Sequence, residues 1–187
     1  MNELLQFDQE LFFAINQGWA SPVLDVVAPW LRNMFFWAPF YLFLGSWYVV
    51  RFGTKGWLVV LAVLLTFAVS DMLSSSVIKP LVERLRPCNE PELAEYVRLL
   101  VGCGGGFSFT SSHATNHFAF ALFNGLVVFR FWKPALPSLL VWASAISLSQ
   151  VYVGVHYPLD ILGGAILGSS IGLVGVLLFH RLVVLEK

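Results

Sequence analysis

Three short clusters of reactive or charged residues sit at the ends of apolar stretches in this sequence. Lys79 and Arg86, with Pro87, follow one apolar block; Ser111, Ser112 and His113 open another; His156 and Asp160 join two more. Charged side chains in or beside a membrane helix cost free energy unless they are paired or used, so a functional reading comes first. Cations and imidazoles that are distant in the chain but share one membrane face can surround a single anionic ligand. Taken alone, Lys79 fits an interfacial lysine whose ammonium snorkels to water, and Arg86 fits a partner for loop glutamates. A lone His113 or His156 fits a hydrogen-bonded structural residue equally well. Only their convergence at one face separates these readings.

The elements that must bring them together are apolar. Hydrophobic residues make up 58% of the 187, charged residues 12%, and the mean hydropathy is +0.77, too little charge for a soluble domain. The formal net charge is zero, which suggests neither a nucleic-acid partner nor a polybasic surface tail. Blocks of about 18 to 26 residues at 33–50, 57–78, 114–131, 136–155 and 159–184 can each cross roughly 30 Å of hydrocarbon. The expected fold is therefore an all-α integral membrane bundle of about five transmembrane helices, forming a single domain over 1–187. Ahead of it lies an interfacial segment, 1–31. There Leu4, Phe7, Leu11 and Ile15 recur at helical spacing beside Leu5 and Phe12, with Asp8, Gln9 and Asn16 on other faces. The stretch after Ser21-Pro22 is broken by Asp25 and Pro29, which predicts a re-entrant or interface-lying helix. Glu3, Asp8 and Glu10 with no early Lys or Arg are the wrong charges for a cleavable secretory signal, so the N-terminus is expected to be retained. Trp37, Trp47, Tyr48, Trp57 and Trp132 near block ends fit interfacial anchors or packed aromatics.

Alternating crossings put all three clusters at the same face. Basic residues gather at the other: Arg51 and Lys55, Arg130 and Lys133, Arg181 and Lys187. Short cytoplasmic loops accumulate such residues, so the cluster face, with the loop 79–112 and its Glu83, Glu90, Glu92 and Glu95, is expected to be extracytoplasmic. The two cysteines, Cys88 and Cys103, both fall in that loop and suggest a disulfide. Asp71, well inside the second block, is read as a structural residue with a buried partner. The stretch Gly102–Gly106 fits either a backbone that approaches a head group or a flexible loop. Glycines 163, 164, 168, 172 and 175 are expected to permit close helix packing.

With the residues in view, a resemblance is apparent. Lys79 followed after six residues by Arg86-Pro87, then Thr110-Ser111-Ser112-His113, then Ser149-Gln150 with His156 and Asp160, is similar to the three motifs of the type 2 phosphatidic acid phosphatase family. The matched region runs from 79 to 160. The resemblance implies that His156 is a nucleophile forming a phosphohistidine, that Asp160 holds its other ring nitrogen, and that His113 protonates the leaving oxygen. Lys79, Arg86, Ser111, Ser112 and Gln150 would bind the phosphate, with Ser111 also capping a helix whose N-terminus favours an anion. No metal or other cofactor is implied. Three departures stand out: Thr110 for Pro, Ser112 for Gly, and Gln150 for an Arg. Gln150 lacks the charge and fork of Arg, so Arg84 or Arg98 would have to compensate, and Gln150→Arg is expected to keep or raise activity.

The resemblance implies hydrolysis of a membrane lipid phosphate: undecaprenyl diphosphate, phosphatidylglycerol phosphate, phosphatidic acid or a phosphate of lipid A. The site would face the periplasm or outside from a bacterial inner membrane, with the bilayer and its lipid as partners and no obligatory protein partner. Three other readings share the residues. A lipid phosphotransferase would begin with the same half-reaction. A metal-dependent hydrolase could use His113, His117, His156 and Asp160. A carrier could line its path with the same charges.

Overall fold

The computed structural model describes residues 3–185, all its regular elements being helical; Lys187, one of the basic residues used for orientation, lies outside the described residues. The N-terminal segment forms α1 (Glu3–Asn16) and α2 (Pro22–Leu31), followed by α3 (Met34–Phe52) and α4 (Thr54–Met72). A π-helical stretch, Leu73–Ile78, continues α4 into the short α5 (Lys79–Val82). After the long loop come α6 (Ser112–Phe129), α7 (Ala135–Tyr152) and α8 (Pro158–Leu182).

Thr54–Val82, α7 and α8 are each long and apolar enough to cross a membrane. The other two expected crossings, α3 and α6, have 19 and 18 residues, about 28 Å at 1.5 Å per residue, yet do not reach the same mean hydropathy. The reason differs between them. α3 carries the amphipathic aromatics Trp37, Tyr41, Trp47 and Tyr48, whereas α6 lies among α4, α7 and α8 and buries Thr115, Asn116 and Asn124 inside the protein. A helix screened from lipid can keep polar groups if they are bonded. Asn116 donates to Asp71 Oδ1 at 2.9 Å and accepts from Ser70 at 2.6 Å, which supplies the expected partner of Asp71. Tyr48 is a packed aromatic rather than an anchor: it is buried, and its hydroxyl donates to Asn124 at 2.9 Å. Trp57 and Trp132 point outward, 63% and 56% exposed.

The tightest pairing is α6 on α8. A Cβ on Gly164, Gly168 or Gly172 would lie 2.7, 2.1 or 2.5 Å from the backbone oxygens of Ser111, Thr115 and Ala119, so this four-residue glycine stripe lets the two backbones touch. Gly168→Ala is expected to lower stability by about 2 kcal/mol through overpacking, or roughly 4–8 °C in thermal midpoint. Gly102→Ala, with nothing within 4 Å of its Cβ, should change it by less than about 0.5 kcal/mol.

The N-terminal helices lie at the end of the bundle where α7 ends and α8 begins. α1 presents Leu4, Phe7 and Leu11 outward and buries Asp8, Phe12, Ile15 and Asn16. Asn16 has no exposure and uses both polar atoms: its amide donates to the Arg98 and Tyr152 carbonyls at 2.9 and 2.8 Å and its oxygen accepts from the Arg98 N–H at 2.9 Å. α2, with ten residues, is too short to span the bilayer, as its Pro and Asp suggested. At the opposite end, Arg51 stacks on Phe52 and Phe131 and Lys55 donates to the Val184 carbonyl, so the basic termini of α3, α6 and α8 do share one face.

Candidate active site

α8 starts with Pro158, whose fixed φ suits the first helical turn, and Asp160 in that turn accepts from the Tyr157 N–H at 2.8 Å. The carboxylate that caps this helix also faces His156. Its Oδ2 lies 3.4 Å from His156 Nδ1, and Ser108 donates to the same oxygen while its hydroxyl lies 3.3 Å from Nδ1. These partners require a proton on Nδ1 and leave the lone pair on Nε2. Arg86 Nη1 approaches that Nε2 at 3.4 Å. Burial holds the imidazole well below the usual histidine range, at about 4, against the upward pull of Asp160; the charges of Arg86 and Lys79 push it the same way as burial. His156 is thus neutral at pH 7, with its free nitrogen turned toward Arg86.

Arg86 is seated by the glycine loop. Its Nε donates to the Gly106 carbonyl at 3.3 Å and its Nη1 to the Val155 carbonyl at 3.4 Å, and Gly104 and Gly106 hold φ of +75° and +77°, which favour glycine. Gly102–Gly106 therefore cradles the arginine. The loop is cross-linked where this matters, because Cys88 and Cys103 are bonded, with Cα atoms 5.9 Å apart. Cys88→Ser/Cys103→Ser is expected to cost about 3 kcal/mol in unfolding free energy for this 15-residue separation, read by thermal or denaturant melts. Gly154, at φ +90° in the turn before His156, passes so close to Arg98 that a Cβ would lie 2.9 Å from its carbonyl.

Ser111 caps α6, accepting from the Ala114 N–H at 3.4 Å, and its own N–H donates to the Asp160 carbonyl at 3.1 Å. That bond ties the start of α6, which carries His113, to the start of α8, which follows His156. Ser111 and Gln150 are fully buried and their side chains are engaged within the protein. Ser112 is partly open, hydrogen-bonded to Ser74 and Ser75 at 3.1 and 3.0 Å. Both arginines expected to compensate for Gln150 are committed elsewhere. Arg84 donates to Asp160 Oδ1 at 2.9 Å and to Asp8 Oδ2 at 2.5 Å, while Arg98 is paired with Asp25. Burial pushes the Asp8 carboxyl up, while Arg84 and the Leu159 N–H pull it down.

His117 does not join His156 and Asp160. Its Nδ1 bonds the His113 carbonyl at 2.7 Å and its Nε2 meets the Tyr41 hydroxyl at 3.3 Å, so the ligand set of the metal reading is not assembled. Among the described residues, no group of three His, Cys, Asp or Glu is arranged to hold a metal ion. Lys79 and Arg86, by contrast, are half-buried with no carboxylate in ion-pair reach among the described residues. Spacing does not single out Ser108 or the Asp8–Arg84 pair, because their partners lie 52 and 76 residues away. A cavity of 490 Å³ opens at Ser112 and His113 and runs between α3, α4 and α6 past Leu44, Val60 and Leu64.

An all-helical bundle with unneutralised cations and imidazoles at one mouth, and an apolar cavity leading from it, is a membrane enzyme acting on an anionic lipid. Residues 55–183 match the PAP2 superfamily. The chain is 34% identical to a lipid A 4'-phosphatase of Bacteroides thetaiotaomicron over 96% of its own length and 80% of that protein. It is 30% identical to a lipid A 4'-phosphatase of Porphyromonas gingivalis, over 92% of the chain and 72% of that protein. The crystal structure of a PAP2-type phosphatidylglycerolphosphate phosphatase from Bacillus subtilis superposes with a TM-score of 0.80 at 23% identity, covering 100% of this chain and 90% of that one, which is a likeness of fold. The chain belongs to the PAP2 superfamily and is a membrane lipid phosphatase of that type.

Proposed function

We propose that this phosphatase removes a phosphate monoester from a lipid A-type glycolipid, with His156 as the nucleophile. The observation that carries the residue assignment is the free Nε2 of His156, 3.4 Å from Arg86, with Nδ1 turned to Asp160 and Ser108. Nε2 attacks phosphorus, the bond from phosphorus to the lipid oxygen breaks, and His113 gives that oxygen its proton. Asp160 steadies the imidazolium character that grows on His156, while Lys79, Arg86 and the Ser112 hydroxyl meet the negative charge on the phosphoryl oxygens. Water then attacks the phosphohistidine, losing its proton to His113 and releasing inorganic phosphate and neutral His156. Ser111 and Gln150 support these groups from beneath.

The lipid assignment is supported by the two relatives matched along more than nine-tenths of the chain, both lipid A 4'-phosphatases. The cavity is of the size that ligand pockets take, about 300–1,000 Å³, and its apolar walls suit an acyl chain. The disulfide beside the site and the basic residues at the far end support a site on the outer side of a bacterial inner membrane, with the loop 79–112 facing outward and residues 1–187 acting as one domain. Purified protein should be offered lipid A, undecaprenyl diphosphate, phosphatidylglycerol phosphate and phosphatidic acid in mixed micelles, and released phosphate measured. A kcat/KM for lipid A at least about tenfold above the others is expected. Equal or faster turnover of undecaprenyl diphosphate would overturn the lipid assignment, and label appearing on a second lipid instead of in free phosphate would make the enzyme a transferase.

A further inference from the structure

Gln150 is fully buried and its amide group is used up: Nε2 donates to the Ile146 carbonyl and the Ser149 hydroxyl, both at 3.3 Å. Its oxygen is left to hold a donor, and the donor is Arg32 Nε at 3.3 Å. Arg32 follows α2, 118 residues away in the chain. Its carbonyl faces His113 Nε2 at 3.3 Å, and it lines the mouth of the cavity together with Ser112 and His113. Burial works against its charge, and so does the like charge of Arg86. Among the described residues no carboxylate lies within ion-pair reach of Arg32, unlike Arg84 and Arg98. Lys79, Arg86 and Arg32 are thus three cations of this site with no carboxylate paired to any of them among the described residues, Asp160 being turned to His156 and Arg84.

We propose that Arg32 is a phosphate-binding residue of this site, seated by Gln150 and bringing from the second helix the guanidinium that position 150 lacks. An arginine at 150 has no acceptor to offer and would set two like charges together. A glutamine offers a carbonyl oxygen to one guanidinium N–H and leaves the Nη groups of Arg32 for phosphate oxygens. The two positions are therefore coupled, and the expectation that Gln150→Arg alone keeps or raises activity is reversed. The coupling also makes α2, which lies outside the motif-bearing helices, part of phosphate recognition. This inference rests on the phosphatase reading of His156.

The test uses the full-length protein with Arg32→Met, Gln150→Arg and the double variant. The readouts are kcat/KM on a lipid phosphate, the inhibition constant of inorganic phosphate, and the thermal midpoint. Arg32→Met is expected to lower kcat/KM and weaken phosphate inhibition by about 10- to 100-fold each, as loss of a charge-assisted bond predicts. Gln150→Arg alone should also lose activity, and the double variant should recover at least tenfold of the Arg32→Met loss, since its single guanidinium again meets the phosphate. An unchanged phosphate inhibition constant in Arg32→Met, or a double variant no better than Arg32→Met, would overturn the proposal. Should Arg32→Met fail to fold, Arg32→Gln decides on the same readouts: phosphate inhibition weakened about tenfold or more at an unchanged thermal midpoint supports it, and an unchanged inhibition constant overturns it. His156→Ala, assayed alongside, separates the two claims, because full turnover in that variant defeats the nucleophile assignment whatever Arg32 does.

Discussion

His156→Ala is expected to lower turnover by about 10⁴-fold or more, the largest effect of any single change in the site. Alanine removes the only imidazole whose free nitrogen faces Arg86, and nothing else in the cluster can form the covalent intermediate: Ser108 is bonded to Asp160, and His113 Nε2 faces the Arg32 carbonyl. The loss should fall on kcat, with lipid binding nearly intact, because Lys79, Arg86 and the cavity remain. A brief incubation with labelled lipid phosphate followed by alkaline quenching should trap an acid-labile phosphoryl group on the intact protein and none on the variant. Label persisting in His156→Ala would move the nucleophile elsewhere. His113→Ala is the informative companion. It should still form some phosphoenzyme from a lipid bearing a good leaving group, since the proton matters least there.

Arg84→Met should be the most damaging change away from the phosphate itself. The Arg84 guanidinium joins two carboxylates that have almost no exposure, Asp8 at 1% and Asp160 at 0%, and stacks 3.9 Å over the Tyr157 ring. Removing one partner of a buried pair leaves uncompensated charge, at a cost of about 3–5 kcal/mol. The effect should reach catalysis too, because Asp160 would be free to turn from His156. Thermal melts and kcat measured together check this. Asp8→Asn in the Arg84→Met background should restore part of the stability, by removing one orphaned charge, but little of kcat, since Asp160 still lacks its clamp. A thermal midpoint within a degree or two of the parent for Arg84→Met would show that the pair is not a structural clamp.

Much of the site was readable along the chain. Arg86, His156 and Asp160, far apart or four residues apart in the chain, do meet, and Cys88 and Cys103 are joined. The residues that hold the reactive ones were not readable. Ser108 carries no spacing signal, and Asp8 lies on a helix whose regular apolar residues draw attention to its other face. Arg84 and Arg98 look like spare cations in a linear reading and are each matched to a carboxylate in space. Arg32, at the end of a short helix, has nothing in its neighbourhood in the chain to connect it with position 150.

The sequence by itself determined that the chain belongs in a bilayer, where its helices run, and that it carries the motifs of a lipid phosphatase. Hydrocarbon length, helix periodicity and the cost of charge in lipid act locally, residue by residue, and so leave marks in the linear order. Tertiary structure alone decided how each polar group is satisfied. In α1 the apolar Leu4 and Phe7 face out while Asp8 and Asn16 turn inward to partners 76 to 151 residues away. Pairing of that kind depends on which buried donor finds which acceptor after the helices have packed, and no period in the chain encodes it.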